Sequence, residues 1–430
     1  MPQSWLNQFC KRAVLQHLAR IAAGRIALVA GGERQMFGEP SAKLQATLTV
    51  RDERFYRRVA LGGGLGAAES LMDGDWTCDD LTSLIRIFIR NSQVASGLDR
   101  GFAWLAQSLA RVQQWWEPNN EQNARSQIRR HYDLGNDFFR LFLDDTLSYS
   151  SAWFPHSAAS LHEASLAKID RVCRKLDLQP DDHVLEIGTG WGALAVQAVE
   201  RYGCRITSTT ISAEQFRLAR ERVGRAGLTD RIDIQQLDYR QLRGSYDKLI
   251  SIEMIEAVGE KYLDTYFRQC SQLLRPDGAM VLQAIVIRDQ MLERHRSSVD
   301  FIGKYIFPGG FLPSVSLIGD CVTRSTDLRI CHLEEMSEHY LRTLELWREK
   351  FWQNIEQVRA LGFDEPFIRM WDYYLQYCAA AFAERQVNVV QVLLGKPGYR
   401  GPAIESQPRL RTIAVDEFQP RICQTSLEQV

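Results

Sequence analysis

At 430 residues, 45% of them hydrophobic, and with a formal net charge of -1, the chain can bury a core in each of two domains. It lacks the charge excess that would bind nucleic acid wholesale. No apolar run approaches the roughly 20 residues that span a bilayer, and Lys11, Arg12 and His17 interrupt the opening apolar stretch, unlike a signal peptide, so the expected location is the cytoplasm. Nine cysteines form no CxxC pair and no metal-ligand spacing with the eight histidines, so reduced thiols and no metal site are expected.

Taken in chain order, residues 4 to 22 place Leu6, Phe9, Cys10, Ala13, Leu18 and Ile21 near one helical face, an amphipathic helix. "RIALVAGG", "RQMFG" and "LQATLTVR" follow as short β-type runs separated by turn residues. "LGGGLGAAESLMDGDW" then reads as a glycine-rich turn leading into a helix, completing a small mixed domain over about 90 residues. Residues 96 to 117 form an aromatic-rich helical stretch, and the polar "EPNNEQN" with Pro118 reads as a linker. Beyond it, "HVLEI", "RITSTT", "RIDIQQL", "KLISI" and "AMVLQAIVI" alternate with helical patterns, which predicts a mostly parallel sheet with helices on both faces. The division expected is an N-terminal α+β domain over 1–117, a catalytic α/β domain over 118–400 and a tail over 401–430.

"VLEIGTGWGALA" (184–195) is a glycine turn directly after a strand and before a helix, where backbone N–H groups can approach a ligand closely. The spacing is GxGxG rather than GxGxxG, and the second strand ends "TSTTIS" with no carboxylate for a dinucleotide ribose. Glu186, two residues before Gly188, instead supplies an acid suited to an amino or ribose group, which fits S-adenosylmethionine. Asp238 after the third strand is suited to an adenine amino group. Glu253 and Glu256 lie together at the end of the fourth strand, with capping of the next helix as an alternative use for one of them.

Several stretches together resemble the cyclopropane-fatty-acyl-phospholipid synthase family, methyltransferases related to the mycolic acid cyclopropane synthases. They are "HYDLGNDFFRLFLDDTLSYSSAWF" (131–154), the glycine turn, "TTISAEQ" (209–215), "IEMIEAVGEKYLDTYF" (252–267), "KYIFPGGFLPS" (304–314) and "FIRMWDYYLQYCAAAF" (367–382). The resemblance implies a seven-stranded methyltransferase sheet with a helical cover around an acyl-chain tunnel. It implies that Tyr149, Ser150, Gly188, Gly190, Gly192, Thr210, Ile211, Gln215, Asp238 and Tyr239 touch the cofactor, alongside Glu186.

The activity so implied is transfer of a methyl group to the cis double bond of an acyl chain in a phospholipid, followed by proton loss and closure of a cyclopropane. Tyr305 and Phe307 are candidates for aromatic walls that exclude water from the cation. The proton acceptor implied is a bicarbonate ion held by Ser151, Glu256, Gln283, Tyr340 and the Ile285 backbone. Here the chain departs from the pattern: Gln283 stands where a histidine is expected and Ser151 where a cysteine is. Glutamine can donate to an anion but cannot shuttle a proton, so a methyl- or methylene-branched product rivals ring closure. Cys378 matches a cysteine treated as catalytic in relatives, although alkene methylation needs no thiolate and its helix reads as buried. His131 suits a structural role. The resemblance also implies a homodimer attached peripherally to the inner face of the membrane, with Arg125, Arg129, Arg130 and the amphipathic helices suited to docking. A methyltransferase of another unsaturated or amine-bearing small molecule, and a non-catalytic lipid or cofactor binder, are the competing functions.

Overall fold

The computed structural model describes residues 2–91 and 134–401. The aromatic stretch 96–117, Pro118, Arg125, Arg129, Arg130, His131 and the tail past residue 401 lie outside the described residues.

The helix Pro2–Leu18 precedes a small sheet of β1 (Arg25–Ala30), β2 (Glu33–Gly38), β3 (Gln45–Val50) and β4 (Trp76–Cys78), in the order β2-β1-β3-β4. Gly31 and Gly32 both adopt positive φ (59° and 85°), the conformation a two-residue hairpin between β1 and β2 demands. The "GGG" stretch departs from the expected turn before a helix. It lies inside a helical run, Arg54–Met72, which breaks at Gly63 (φ 56°, ψ -137°) and resumes. A glycine can take that conformation at little steric cost, so the chain kinks without leaving the apolar surface it covers.

The larger sheet contains β5 (His183–Ile187), β6 (Arg205–Thr209), β7 (Ile232–Gln235), β8 (Tyr246–Ile252), β9 (Leu274–Ile287), β10 (Arg329–Glu335) and β11 (Val387–Gly395). Its order is β10-β11-β9-β8-β5-β6-β7. β5 through β9 pair in parallel, and β11 runs antiparallel between β9 and β10. The chain winds outward from β5 in both directions, so a crevice opens beyond the carboxyl ends of β5 and β8.

Two long helices, Ser337–Gln353 and Glu365–Ala383, cover this crevice. The second starts where Asp364 accepts from the Phe367 N–H at 2.9 Å, with proline in the first turn, an ordinary N-terminal signal. Its inward face carries Ile368, Trp371, Leu375 and Phe382, all buried.

The larger sheet has two apolar clusters of its own, but the small domain does not keep a core to itself as length alone would suggest. One continuous apolar cluster runs from Ile26, Phe55 and Ile87 through Phe138 and Phe142 to Trp347 and Trp371. The physical reason is that the helix Leu81–Arg90 presents its strongly apolar face to the cover helix rather than only to its own small sheet. Arg86 and Arg90 each donate to Glu384 at 2.8 Å across this junction. Partly exposed ion pairs of this kind contribute about 1 kcal/mol or less, so the apolar packing carries the junction.

Candidate active site

Near the end of β5, Glu186 is 3% exposed, and its side chain accepts from the Ser208 hydroxyl on β6. Burial pushes this carboxyl up to about 8, against the bond from Ser208 and the nearby Lys168 ammonium. The turn that follows holds Gly188, Gly190 and Gly192 at φ of 100°, 54° and 83°. A side chain at Gly192 would also be crowded, since a Cβ there would lie 3.1 Å from the Cβ of Ala219. Gly188 and Thr189 donate their N–H groups to the Thr209 carbonyl, which ties the turn to the end of β6.

The "TTIS" segment after β6 is rigid for a local reason. Ser212 accepts from the Gln215 N–H to cap the next helix, and the Thr210 hydroxyl donates to the Gln215 side chain at 2.7 Å. Ile211 and Tyr239 line the same cavity. Asp238 lies there too, but its carboxylate is held by the Arg240 guanidinium at 2.7 and 2.8 Å. A single cavity of about 1840 Å3 takes in the glycine turn, these residues and the cover helices. That exceeds the roughly 300–1,000 Å3 of an ordinary small-molecule pocket, leaving room for a second, elongated ligand beside a cofactor. Its far wall is apolar and comes from the N-terminal domain: Trp76, Leu81, Leu84, Ile85 and Phe88.

Between the two ends stand the acids of "IEMIEAVG". Neither caps the turn that follows. Glu253 adopts φ 48°, a left-handed conformation uncommon for a side-chain-bearing residue. Its Oε1 accepts from the Ser151 N–H at 2.9 Å and from the Gln283 amide at 2.7 Å; its Oε2 accepts from the Tyr340 hydroxyl at 2.9 Å. Burial still pushes its carboxyl above the ordinary value. Glu256 accepts from the Ile285 N–H through Oε1, while Oε2 is buried with no hydrogen-bond partner. Burial, then the adjacent Glu253, pushes Glu256 up to about 8.

The expected set of Ser151, Glu256, Gln283, Ile285 and Tyr340 is therefore assembled, but its donors are divided between two carboxyls. Tyr149 and Ser150 lie alongside: the Tyr149 ring stacks on Trp347 with its hydroxyl 2.8 Å from that of Tyr374, and Ser150 accepts from Lys168 at 3.0 Å. Phe307 lines the cavity, with ring centroids 6.4 Å from Tyr149 and 6.3 Å from Tyr374. Tyr305 does not serve as a cavity wall. Its hydroxyl donates to Glu69 of the N-terminal domain at 2.8 Å, and its ring packs 5.5 Å from that of Phe301 instead. Cys378 lines the cavity, and burial followed by the charge of Asp300 pushes its thiol far up, so it stays protonated.

Three further residues complete the site. Lys168 is a buried ammonium near Glu253, Asp144 and Glu186, its affinity for the proton lowered by burial against their pull. Lys175, one heptad on, donates to Glu334 at 2.5 Å and to Gln391 at 2.8 Å; Gln391 donates to Gln283 at 2.9 Å. Two lysines on the mostly apolar inner face of Leu161–Lys175 are the signal that could have exposed them.

A doubly wound sheet with this strand order, a glycine turn after its first strand and a buried acid there define an S-adenosylmethionine-dependent methyltransferase. Residues 119–392 match the model of the mycolic acid cyclopropane synthetase family, and the chain belongs to that family. It is 40% identical over 355 residues to the tuberculostearic acid methyltransferase UfaA1 of Mycobacterium tuberculosis, covering 81% of this chain and 82% of that one. It is 36% identical over 354 residues to the cyclopropane-fatty-acyl-phospholipid synthase of Escherichia coli, covering 82% and 88%. Among solved structures, mycolic acid cyclopropane synthase CmaA1 complexed with SAH and CTAB superposes with a TM-score of 0.60 at 32% identity, over 63% of this chain and 98% of that one.

Proposed function

We propose that the protein methylates the cis double bond of an unsaturated acyl chain in a phospholipid and closes the product to a cyclopropane. The observation that carries this reading is the continuity of one cavity from the glycine turn, past buried carboxyls, to the apolar wall of Leu81, Leu84, Ile85 and Phe88. Bound S-adenosylmethionine would supply an electrophilic methyl group on a sulfonium, and Glu186, the glycine turn, Thr210, Ile211, Gln215, Asp238 and Tyr239 would hold it. Glu186, Glu253 and Glu256 line this cavity, and a cationic cofactor would favour the ionised form of Glu186.

The remaining residues align and shield. Tyr149, Phe307 and Tyr374 give aromatic faces that tolerate positive charge on the chain while keeping water away from it. An acyl chain needs no polar partner along its length, which matches the apolar far wall. Access to phospholipid requires only docking, since no helix among the described residues is long and apolar enough to cross a membrane. Trp5 and Phe9, 68% and 49% exposed and stacked on one face of the first helix, support a peripheral contact with a membrane surface.

A branched product is the second reading, favoured by the relationship to the tuberculostearic acid methyltransferase and by Gln283. Both readings are tested by incubating the protein with S-adenosylmethionine and monounsaturated phospholipid vesicles, then analysing the fatty acids by mass spectrometry and proton NMR. Gain of one CH2 with upfield cyclopropane protons is the expected result; a vinylidene signal selects branching, and no gain overturns the lipid reading.

A further inference from the structure

A bicarbonate ion is what the resemblance implies among Ser151, Glu256, Gln283, Ile285 and Tyr340, and the residues present do not fit one. The Ser151 N–H, the Gln283 amide and the Tyr340 hydroxyl all converge on the carboxylate of Glu253. The Ile285 N–H is taken by Glu256. An added anion would find its donors already spent and two carboxyls beside it. The orientation of Gln283 is not free to change either. Lys175, which has only donors, fixes the carbonyl of Gln391; Gln391 then donates to the carbonyl of Gln283, leaving its NH2 group to face Glu253.

We propose that Glu253 is the built-in anion of this site, replacing an exchangeable ion, and that it is the catalytic base. The proposal rests on the alkene-methylation reading above. Two neighbouring carboxyls share their ionisation unequally, and the hydrogen bonds say which is charged. Glu253 receives three donors across both oxygens, the pattern of an ionised acceptor, whereas Glu256 keeps one buried oxygen with no partner, where a proton can reside. The left-handed backbone of Glu253 is a further sign, since a glycine would sit there without strain and a side chain retained at such a position points to use.

The step balances as follows. The π pair of the alkene forms a bond to the transferred carbon as the carbon–sulfur pair leaves with sulfur, so the positive charge passes from the sulfonium to the chain. Glu253 then takes one proton from the new methyl group, and that C–H pair closes the ring; taken after a hydride shift, the proton loss gives a methylene branch instead. No oxidant or reductant is needed. Glu253 ends as the neutral acid and returns its proton to water after product release.

The test compares the wild-type protein, Glu253→Gln and Glu253→Gly in carbonate-free buffer, with and without added bicarbonate. Expected results are wild-type turnover indifferent to bicarbonate, and loss on the order of 100-fold or more in Glu253→Gln with cofactor affinity retained. Glu253→Gly should regain turnover on adding bicarbonate or formate, as an anion enters the vacated donor set. Independently of turnover, carbon NMR of isotopically labelled bicarbonate should show line broadening by Glu253→Gly and none by the wild type. Bicarbonate-dependent wild-type turnover, or equal broadening by both proteins, overturns the proposal. If the wild type methylates no acyl chain at all, the lipid reading fails, while the labelled-bicarbonate arm still decides whether Glu253 holds the anion site.

Discussion

Gln391 donates a side-chain N–H to Gln283 across 2.9 Å, and that one bond sets which end of the Gln283 amide meets the reacting groups. Both side chains are fully buried, so neither can turn to water instead. Gln391→Leu is expected to lower turnover about tenfold and to cost about 1–3 kcal/mol of stability, because Lys175 and Gln283 each lose a buried partner. Gln391→Glu keeps an acceptor for Lys175 and loses the donor, so its turnover should fall with a smaller loss of stability. Steady-state kinetics and urea unfolding of the two variants separate these effects.

Stability without cofactor should fall as pH rises. Glu186 and Glu256 are pushed from 4.5 up to about 8, so the folded protein binds more protons than the unfolded chain between those values. The contribution is fully present below the unfolded value and is lost as pH climbs through about 8. Urea midpoints measured across this window should decline, and Glu186→Gln should flatten the slope.

Cofactor binding should run the other way. A cationic or hydroxyl-bearing ligand favours the ionised form of Glu186, so affinity should strengthen as pH approaches about 8 and binding near neutrality should release protons. Calorimetry in buffers of different ionisation enthalpy reads that release directly. Its disappearance is expected in Glu186→Gln.

Cys378→Ala should leave turnover within about threefold of the wild type, since a thiol held protonated by burial is neither nucleophile nor base. A loss comparable to that of Glu253→Gln would show that the thiol takes part in the chemistry.

The apolar wall predicts a change in selectivity. Ile85→Trp fills space at the far end of the cavity, and overpacking by about 1–3 kcal/mol corresponds to roughly tenfold or more in discrimination between chains. Competition between vesicles of short and long monounsaturated acyl chains should show loss of the long ones, with cofactor affinity unchanged.

The glycine-turn end of the cavity was legible in the sequence because its parts are contiguous: a strand, an acid and a glycine turn within a dozen residues. The end holding Glu253 and Glu256 was legible only in part. Glu253, Gln283 and Tyr340 stood out singly, but Lys168, Lys175 and Gln391 come from a helix and a strand far apart in the chain, and only the fold brings them together. β11 reads "VNVVQVLLG", an apolar run typical of a strand buried on both faces, with Asn388 near its start and Gln391 at its centre as the polar interruptions. β10, at the sheet edge, is mostly polar and carries little periodic signal. Tyr305 shows the reverse difficulty: an aromatic next to a motif has no direction until the backbone turn is known.

The family match begins at residue 119, yet the surface that bounds the long end of the cavity belongs to Leu81–Arg90. One cavity is thus bounded by two separate stretches of chain. A change confined to that helix would reshape one end of the cavity and leave the glycine turn and the buried carboxyls as they are.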